Sequence, residues 1–264
     1  MGAYYPDSYG FFTVERSRRS AAYALLRDAI RLPYRLRYGN GALERPAPGR
    51  NRVLDIGSGA GLQLKELAAL GWDPWGIEPK ADLARRTAER LGLPEGRILP
   101  RAAEDADYPE QSFELVTMSH VLEHLHDPRT ILEDVNRWLV PDGRLRLWLP
   151  DFGSLEARAF GRLWHGLDLP RHLYHFSKET LAALLRETGF SIERAIPQCQ
   201  GNMLTGSVTY AFHALRRRAP VYREPRALHY ALLPVASTLL AFGEGGCVDV
   251  TARKHTGDDL AQTA

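Results

Sequence analysis

The chain has 264 residues, 44% of them hydrophobic and 25% charged, with a formal net charge of +2 at pH 7. Those proportions fit one α/β domain with decorations and exclude a disordered or fibrous class. So small a charge gives little pull toward nucleic acid, and two cysteines, Cys199 and Cys247, cannot build a disulfide framework and lack metal-ligand spacing, which suits a reducing cytoplasm. The first residues, with Pro6 among them, lack the basic start and apolar run of a secretory signal. Residues 15–32 carry apolar side chains at helical spacing among arginines, which predicts an amphipathic helix that Pro33 stops. Residues 39–50, with Pro46, Pro48 and three glycines, read as a connector, so 1–50 form an extension ahead of the main domain.

From residue 51 onward apolar strands alternate with helical patterns: strand 52–56, helix 61–70, strand 74–78, helix 80–91, strand 96–100, strand 113–118, helix 129–139 and strand 143–149. This alternation predicts an α/β fold with a doubly wound, mostly parallel sheet covered by helices on both faces. Residues 151–176 hold Trp164, His165, His172, Tyr174, His175 and several turn formers, and read as a loop lid over the sheet. Ser177 is placed to cap a helix over 178–188 that Gly189 ends, and 190–197 form a sixth strand. Residues 247–254, with alternating Val248, Val250 and Ala252, complete seven strands, leaving 255–264 as a tail.

Between the last two strands, residues 201–245 read as an insert of two helices around a turn rich in proline and arginine. Its second half, 228–242, is apolar but contains His229 and Pro234 and is shorter than the ~20 residues needed to span a bilayer. With Arg216, Arg217, Arg218, Arg223 and Arg226 beside it, the segment 216–242 suits peripheral contact with an anionic membrane face, or packing on the core or in a homodimer.

The run Arg52-Val53-Leu54-Asp55-Ile56-Gly57-Ser58-Gly59-Ala60-Gly61-Leu62 carries the chemistry. It reads as a buried strand ending in a carboxylate, a turn with glycine at alternate positions, and a helix whose N-terminus presents free N–H groups. A dinucleotide site has G-x-G-x-x-G against a pyrophosphate. Here the spacing is G-x-G-x-G and Asp55 stands at the strand end, where it repels a phosphate and suits a cation, which disfavours an NAD-dependent oxidoreductase. Glu78, closing the second strand, is placed to accept hydrogen bonds from a ribose diol. An adenosyl group with a positively charged amino-acid arm fits both acids.

These residues resemble the class I S-adenosylmethionine-dependent methyltransferases. The later stretches Ala103-Glu104-Asp105, Ser112-Phe113-Glu114-Leu115-Val116, Val121-Leu122-Glu123-His124 and Leu139-Val140-Pro141-Asp142-Gly143-Arg144 are similar to that family's successive landmarks, over roughly residues 50–150. The resemblance implies that Asp55, Gly57, Gly59 and Gly61 hold the amino-acid arm of S-adenosylmethionine, Glu78 the ribose, and Glu104 with Asp105 the adenine end. Where the family often has an Asp ahead of the Ala-Glu pair this chain has Ala102. Ser119 falls at the same crevice, beyond the carboxyl ends of the strands.

Two histidines are candidate bases. His120 follows the fourth strand and faces the methyl donor in the family reading; His172 lies in Pro170-Arg171-His172-Leu173-Tyr174-His175-Phe176-Ser177, which resembles a stretch from a bacterial branch of the superfamily. An imidazole of ordinary pKa takes the proton of an attacking hydroxyl near neutral pH. Trp164 and Tyr174 are candidate apolar walls for the acceptor. The run His120 to His124 also matches the H-x-x-E-H of inverted zinc peptidases, but spacing identifies no third ligand and no metal is expected. The expectation is a cytoplasmic transferase that methylates, first of all at oxygen, a small-molecule or glycan-like acceptor; the alternative is a cofactor-binding assembly subunit without turnover.

Overall fold

The computed structural model describes residues 44–198, 201–216 and 226–255. The helix expected over 15–32, most of the tail and the arginines at 217, 218 and 223 lie outside them. The strands are β1 (Arg52–Ile56), β2 (Asp73–Ile77), β3 (Ile98–Leu99), β4 (Phe113–Ser119), β5 (Leu139–Pro150), β6 (Phe190–Gln198) and β7 (Cys247–Lys254). The helices are α1 (Leu62–Ala69), α2 (Ala81–Leu91), α3 (Pro128–Trp138), α4 (Leu155–Phe160), α5 (Lys178–Glu187), α6 (Gly201–Leu215) and α7 (Arg226–Ala241). One seven-stranded sheet runs β3-β2-β1-β4-β5-β7-β6. Its first five strands are parallel, and β7 lies antiparallel between β5 and β6.

The topology follows from where the apolar side chains fall. Val53, Leu54 and Ile56 of β1 and Val116 and Met118 of β4 are all buried, as a strand covered on both faces requires. Leu54, Ile56, Val116 and Met118 join Trp138, Phe113, Phe190, Leu145 and Leu147 in one core, and Val53 packs with Leu67 and Leu115 in a separate cluster. Strand order reverses at β1, which pairs with β2 on one side and β4 on the other, so the crevice for a ligand opens beyond Ile56 and Ser119. Local chemistry fixes the helix ends. Asp127 accepts from the Thr130 N–H with Pro128 in the first turn of α3, Ser177 and Thr180 form a capping box on α5, and Gly92 ends α2 in the left-handed region.

Two strands differ from the sequence reading by more than one residue at an end. β3 keeps only two residues, because Gly96 takes φ +80° and pairing with β2 reaches only Gly76 and Ile77. β5 begins at Leu139, four residues early: Phe113 pairs with Leu139 and the register then shifts by a bulge, so Pro141-Asp142-Gly143 is absorbed into the strand start with Asp142 at φ +61°.

The segment expected as a loop lid contains structure of its own. Ser154 caps α4, and two single 3₁₀ turns follow at Gly161–Leu163 and His165–Leu167. This lid packs on α6, where the Ser207 hydroxyl accepts from the His165 N–H at 2.9 Å and lies 3.3 Å from Glu156 Oε1. Burial, only partly offset by Ser207, pushes the Glu156 carboxyl up to about 7. The first helix of the insert is therefore the outer support of the lid, and α6 and α7 pack on each other. Among the described residues no helix is long and apolar enough to cross a membrane.

Candidate active site

The glycine turn after β1 takes the conformation its spacing requires. Gly57, Gly59 and Gly61 have φ of +73°, +50° and +65°, a region L side chains rarely adopt. A Cβ on Gly57 would stand 2.4 Å from Val121 Cγ2, and one on Gly61 2.5 Å from Thr87 Cγ2, so the loop lies against its neighbours with no room for a side chain. The N–H groups of Gly57 and Ser58 both donate to the Ile77 carbonyl, and the Thr87 hydroxyl donates to the Gly59 carbonyl at 3.0 Å.

Two carboxylates flank this cradle. Asp55 is 3% exposed and accepts a hydrogen bond from the Thr117 hydroxyl at 2.7 Å. Burial pushes its carboxyl up to about 7, with Thr117 pulling down and the Glu78 charge adding a smaller push up. Glu78 is 4% exposed; its two oxygens accept from the N–H groups of Gly59 and Lys80, each at 3.0 Å. Burial raises its pKa too, against the pull of those two bonds. Thr117 and Thr87 escape the sequence reading because each sits alone in an otherwise ordinary strand or helix. Ala103–Asp105 form a 3₁₀ turn with Glu104 and Asp105 exposed, and Glu104 Oε1 accepts from the His126 N–H at 3.4 Å. Ser119 ends β4, opposite Trp148 in the register with β5.

The histidines converge on one buried acid. Glu123, 1% exposed, lies in a 3₁₀ turn, Leu122–His124, directly after β4. His120 Nδ1 donates to Glu123 Oε1 at 3.1 Å, and His120 itself takes φ +55°, a strained position for a side chain. Burial alone would raise the Glu123 pKa, but the His120 hydrogen bond and the charges of His120, His124 and His172 outweigh it and lower the value. The lid is tied to the same turn, since the N–H groups of Leu173 and Tyr174 both donate to the Glu123 carbonyl, at 2.8 and 3.2 Å. His172 is 7% exposed, donates from Nδ1 to the Gly166 carbonyl at 2.8 Å, and has its pKa lowered by burial despite Glu123. Trp164 and Tyr174 are not brought together: Trp164 is buried beneath Gly166, whereas Tyr174 is exposed, stacks on Phe176 and donates to the His126 carbonyl.

A doubly wound sheet of this strand order, with an acid-flanked glycine turn at the order switch, fits an adenosyl group bearing a cation. Residues 23–195 match the family model described as "Methyltransferase domain". The chain belongs to this methyltransferase family. An ubiquinone biosynthesis O-methyltransferase of Xanthomonas axonopodis pv. citri is 31% identical over 173 residues, 61% of this chain and 70% of that protein. A demethylmenaquinone methyltransferase of Thermus thermophilus is 32% identical over 196 residues, 64% of this chain and 86% of that one. In fold, the YcgJ protein of Bacillus subtilis matches with a TM-score of 0.54 at 19% identity, covering 85% of this chain and 99% of the other. The protein is an S-adenosylmethionine-dependent methyltransferase.

The residues present fit that donor. Gly57 and Gly61 leave no room for a Cβ, and Asp55 and Glu78 are buried acids whose pKa values burial raises, so a cation brought to them is favoured. A cation brought to Asp55 favours its ionised form, so donor affinity should rise with pH through about 7 and binding below that pH should expel a proton. Calorimetry with S-adenosylhomocysteine, which keeps the ammonium, should show roughly tenfold weaker binding at about pH 6 than at about pH 8. Asp55→Asn should flatten the profile.

Proposed function

We propose that this methyltransferase acts on a hydroxyl oxygen of a small acceptor, small-molecule or glycan-like, with His120 as the general base. Bound S-adenosylmethionine supplies a methyl group on a sulfonium, ready for in-line attack. The observation that carries the reading is the His120–Glu123 pair at the carboxyl end of β4. Because the carboxylate accepts, Nδ1 holds the proton and Nε2 is left basic, the tautomer that takes a proton from an attacking hydroxyl. Glu123 also stabilises the imidazolium formed as the proton arrives. Asp55 with Gly57, Gly59 and Gly61 holds the amino-acid arm, Glu78 the ribose, and Glu104, Asp105 and Ser119 border the rest of the donor. The names of the Xanthomonas and Thermus relatives support a small acceptor, and the first supports oxygen.

A panel of paired phenols and anilines incubated with methyl-labelled donor tests the reading. Label is expected in an alkali-stable ether. Label confined to the amines overturns oxygen as the target.

We also propose peripheral contact of the α6–α7 hairpin with an anionic membrane. Leu215 is 84% and Phe212 48% exposed, and the Arg216 guanidinium stacks over Phe212 at 4.1 Å, so apolar and cationic groups share one patch at the end of α6. Sedimentation with vesicles rich in anionic lipid should carry the protein down, and Leu215→Glu should reduce the bound fraction severalfold. Equal sedimentation with neutral and anionic vesicles, or none, removes the reading.

A further inference from the structure

We infer that Glu123, His124 and His172 form a site for a divalent transition-metal ion of the zinc type, clamping the lid to the turn after β4. One nitrogen from each ring and a carboxylate oxygen of Glu123 lie within 4.8 Å of one another. Spacing along the chain identifies no third ligand; the fold supplies it, because the lid returns His172 to the turn that holds Glu123 and His124. The set also differs from that of an inverted zinc peptidase, in which the histidines at the positions of His120 and His124 are the ligands and the glutamate is the base. Here His120 is occupied by its bond to Glu123, and the glutamate is the ligand.

Ring orientation supports the assignment. His172 Nδ1 donates to the Gly166 carbonyl at 2.8 Å and His124 Nδ1 to the Arg171 carbonyl at 2.9 Å. A carbonyl can only accept, so each neutral ring carries its proton on Nδ1 and its basic lone pair on Nε2, and backbone-carbonyl bonds of this kind orient histidines that bind metals. His172 Nε2 lies 4.0 Å from Glu123 Oε1 and 3.7 Å from Asp168 Oδ2, so a lone pair faces two carboxylates. With the ring neutral that juxtaposition is repulsive, and a cation between them, a proton on Nε2 or a metal ion, relieves it.

An independent observation points the same way. Glu123 Oε2 is buried and has no hydrogen-bond partner. A carboxylate oxygen left so is costly, and coordination to a metal is one of the few ways to satisfy it without water. Two imidazoles and a carboxylate select a borderline cation such as Zn²⁺ or Co²⁺ over Mg²⁺ or Ca²⁺. Ligands about 2.1 Å from a tetrahedral ion stand roughly 3.4 Å apart, so separations of up to 4.8 Å close by about an ångström or a little more, with a water completing the fourth position. The ion would hold the lid in place beside His120 and take no part in proton transfer.

The test uses the full chain, stripped with chelator and titrated with Co²⁺. Stoichiometric binding with the visible spectrum of a four-coordinate site is expected, with a rise in Tm on adding Zn²⁺ and none on adding Mg²⁺. His124→Gln and His172→Gln should each weaken Co²⁺ binding about 100-fold or more, while S-adenosylhomocysteine binding reports that both variants are folded. Absence of a ligand-field spectrum in the wild-type protein overturns the site without recourse to any variant. Undiminished binding in both folded variants also overturns it, by placing the metal on surface histidines. Because the donor is measured separately, failure here leaves the methyltransferase reading intact.

Discussion

Gly57→Ala should weaken S-adenosylhomocysteine binding by roughly 30-fold or more, the equivalent of about 2 kcal/mol. Two separate costs meet at this position. An L residue held at φ +73° loses about 1–2 kcal/mol against the right-handed region, and the new methyl would sit 2.4 Å from Val121 Cγ2, an overpacking contact that costs about 1–3 kcal/mol to relieve. Relief has to come from the loop or from Val121, and both belong to the site: the loop is the cradle, and Val121 stands between His120 and the turn that holds Glu123. Adding Val121→Ala removes the clash and leaves the backbone strain, so the double variant should recover part of the affinity and of the Tm, with the remainder set by φ. Wild-type affinity in Gly57→Ala would mean the loop does not hold the donor.

How much of this was readable beforehand depends on how local each signal is. β1 and β7 fall on their expected bounds because each is a dense apolar run bordered by charged or glycine residues, so composition and position agree. The placement of Asp55 and Glu78 beside the glycine turn was legible for the same reason, each acid closing an apolar strand. The lid was not, since α4 spans under two turns, too short for helical periodicity to emerge, and its start depends on the single cap Ser154. Thr117 was hidden because one hydroxyl among Leu115, Val116 and Met118 looks like an ordinary strand residue; only the pairing of Asp55 with Thr117 across β1 and β4 gives it a role. The meeting of His172 with Glu123 was out of reach entirely, being a product of how the lid folds back rather than of any spacing in the chain.

His120→Asn should lower kcat by about 10²–10⁴-fold, the range a positioned general base contributes, while donor affinity stays within about twofold. Asparagine is the informative replacement because it tolerates the left-handed backbone that His120 occupies at φ +55°, so the variant removes the base without forcing the turn to move. Glu123→Gln separates orientation from charge. The amide oxygen can still accept from His120 Nδ1, which preserves the ring's direction, but the negative charge that stabilises an imidazolium is gone, and Glu123 is held in its ionised form largely by that histidine bond and the surrounding ring charges. Its rate should therefore fall less than that of His120→Asn, because the ring keeps its direction and loses only the charge that stabilises the imidazolium. An exposed amine acceptor needs no such base, so the two variants should lose far less activity on an aniline than on a phenol. Equal losses on both would place His120 and Glu123 in the architecture of the turn and take them out of the chemistry.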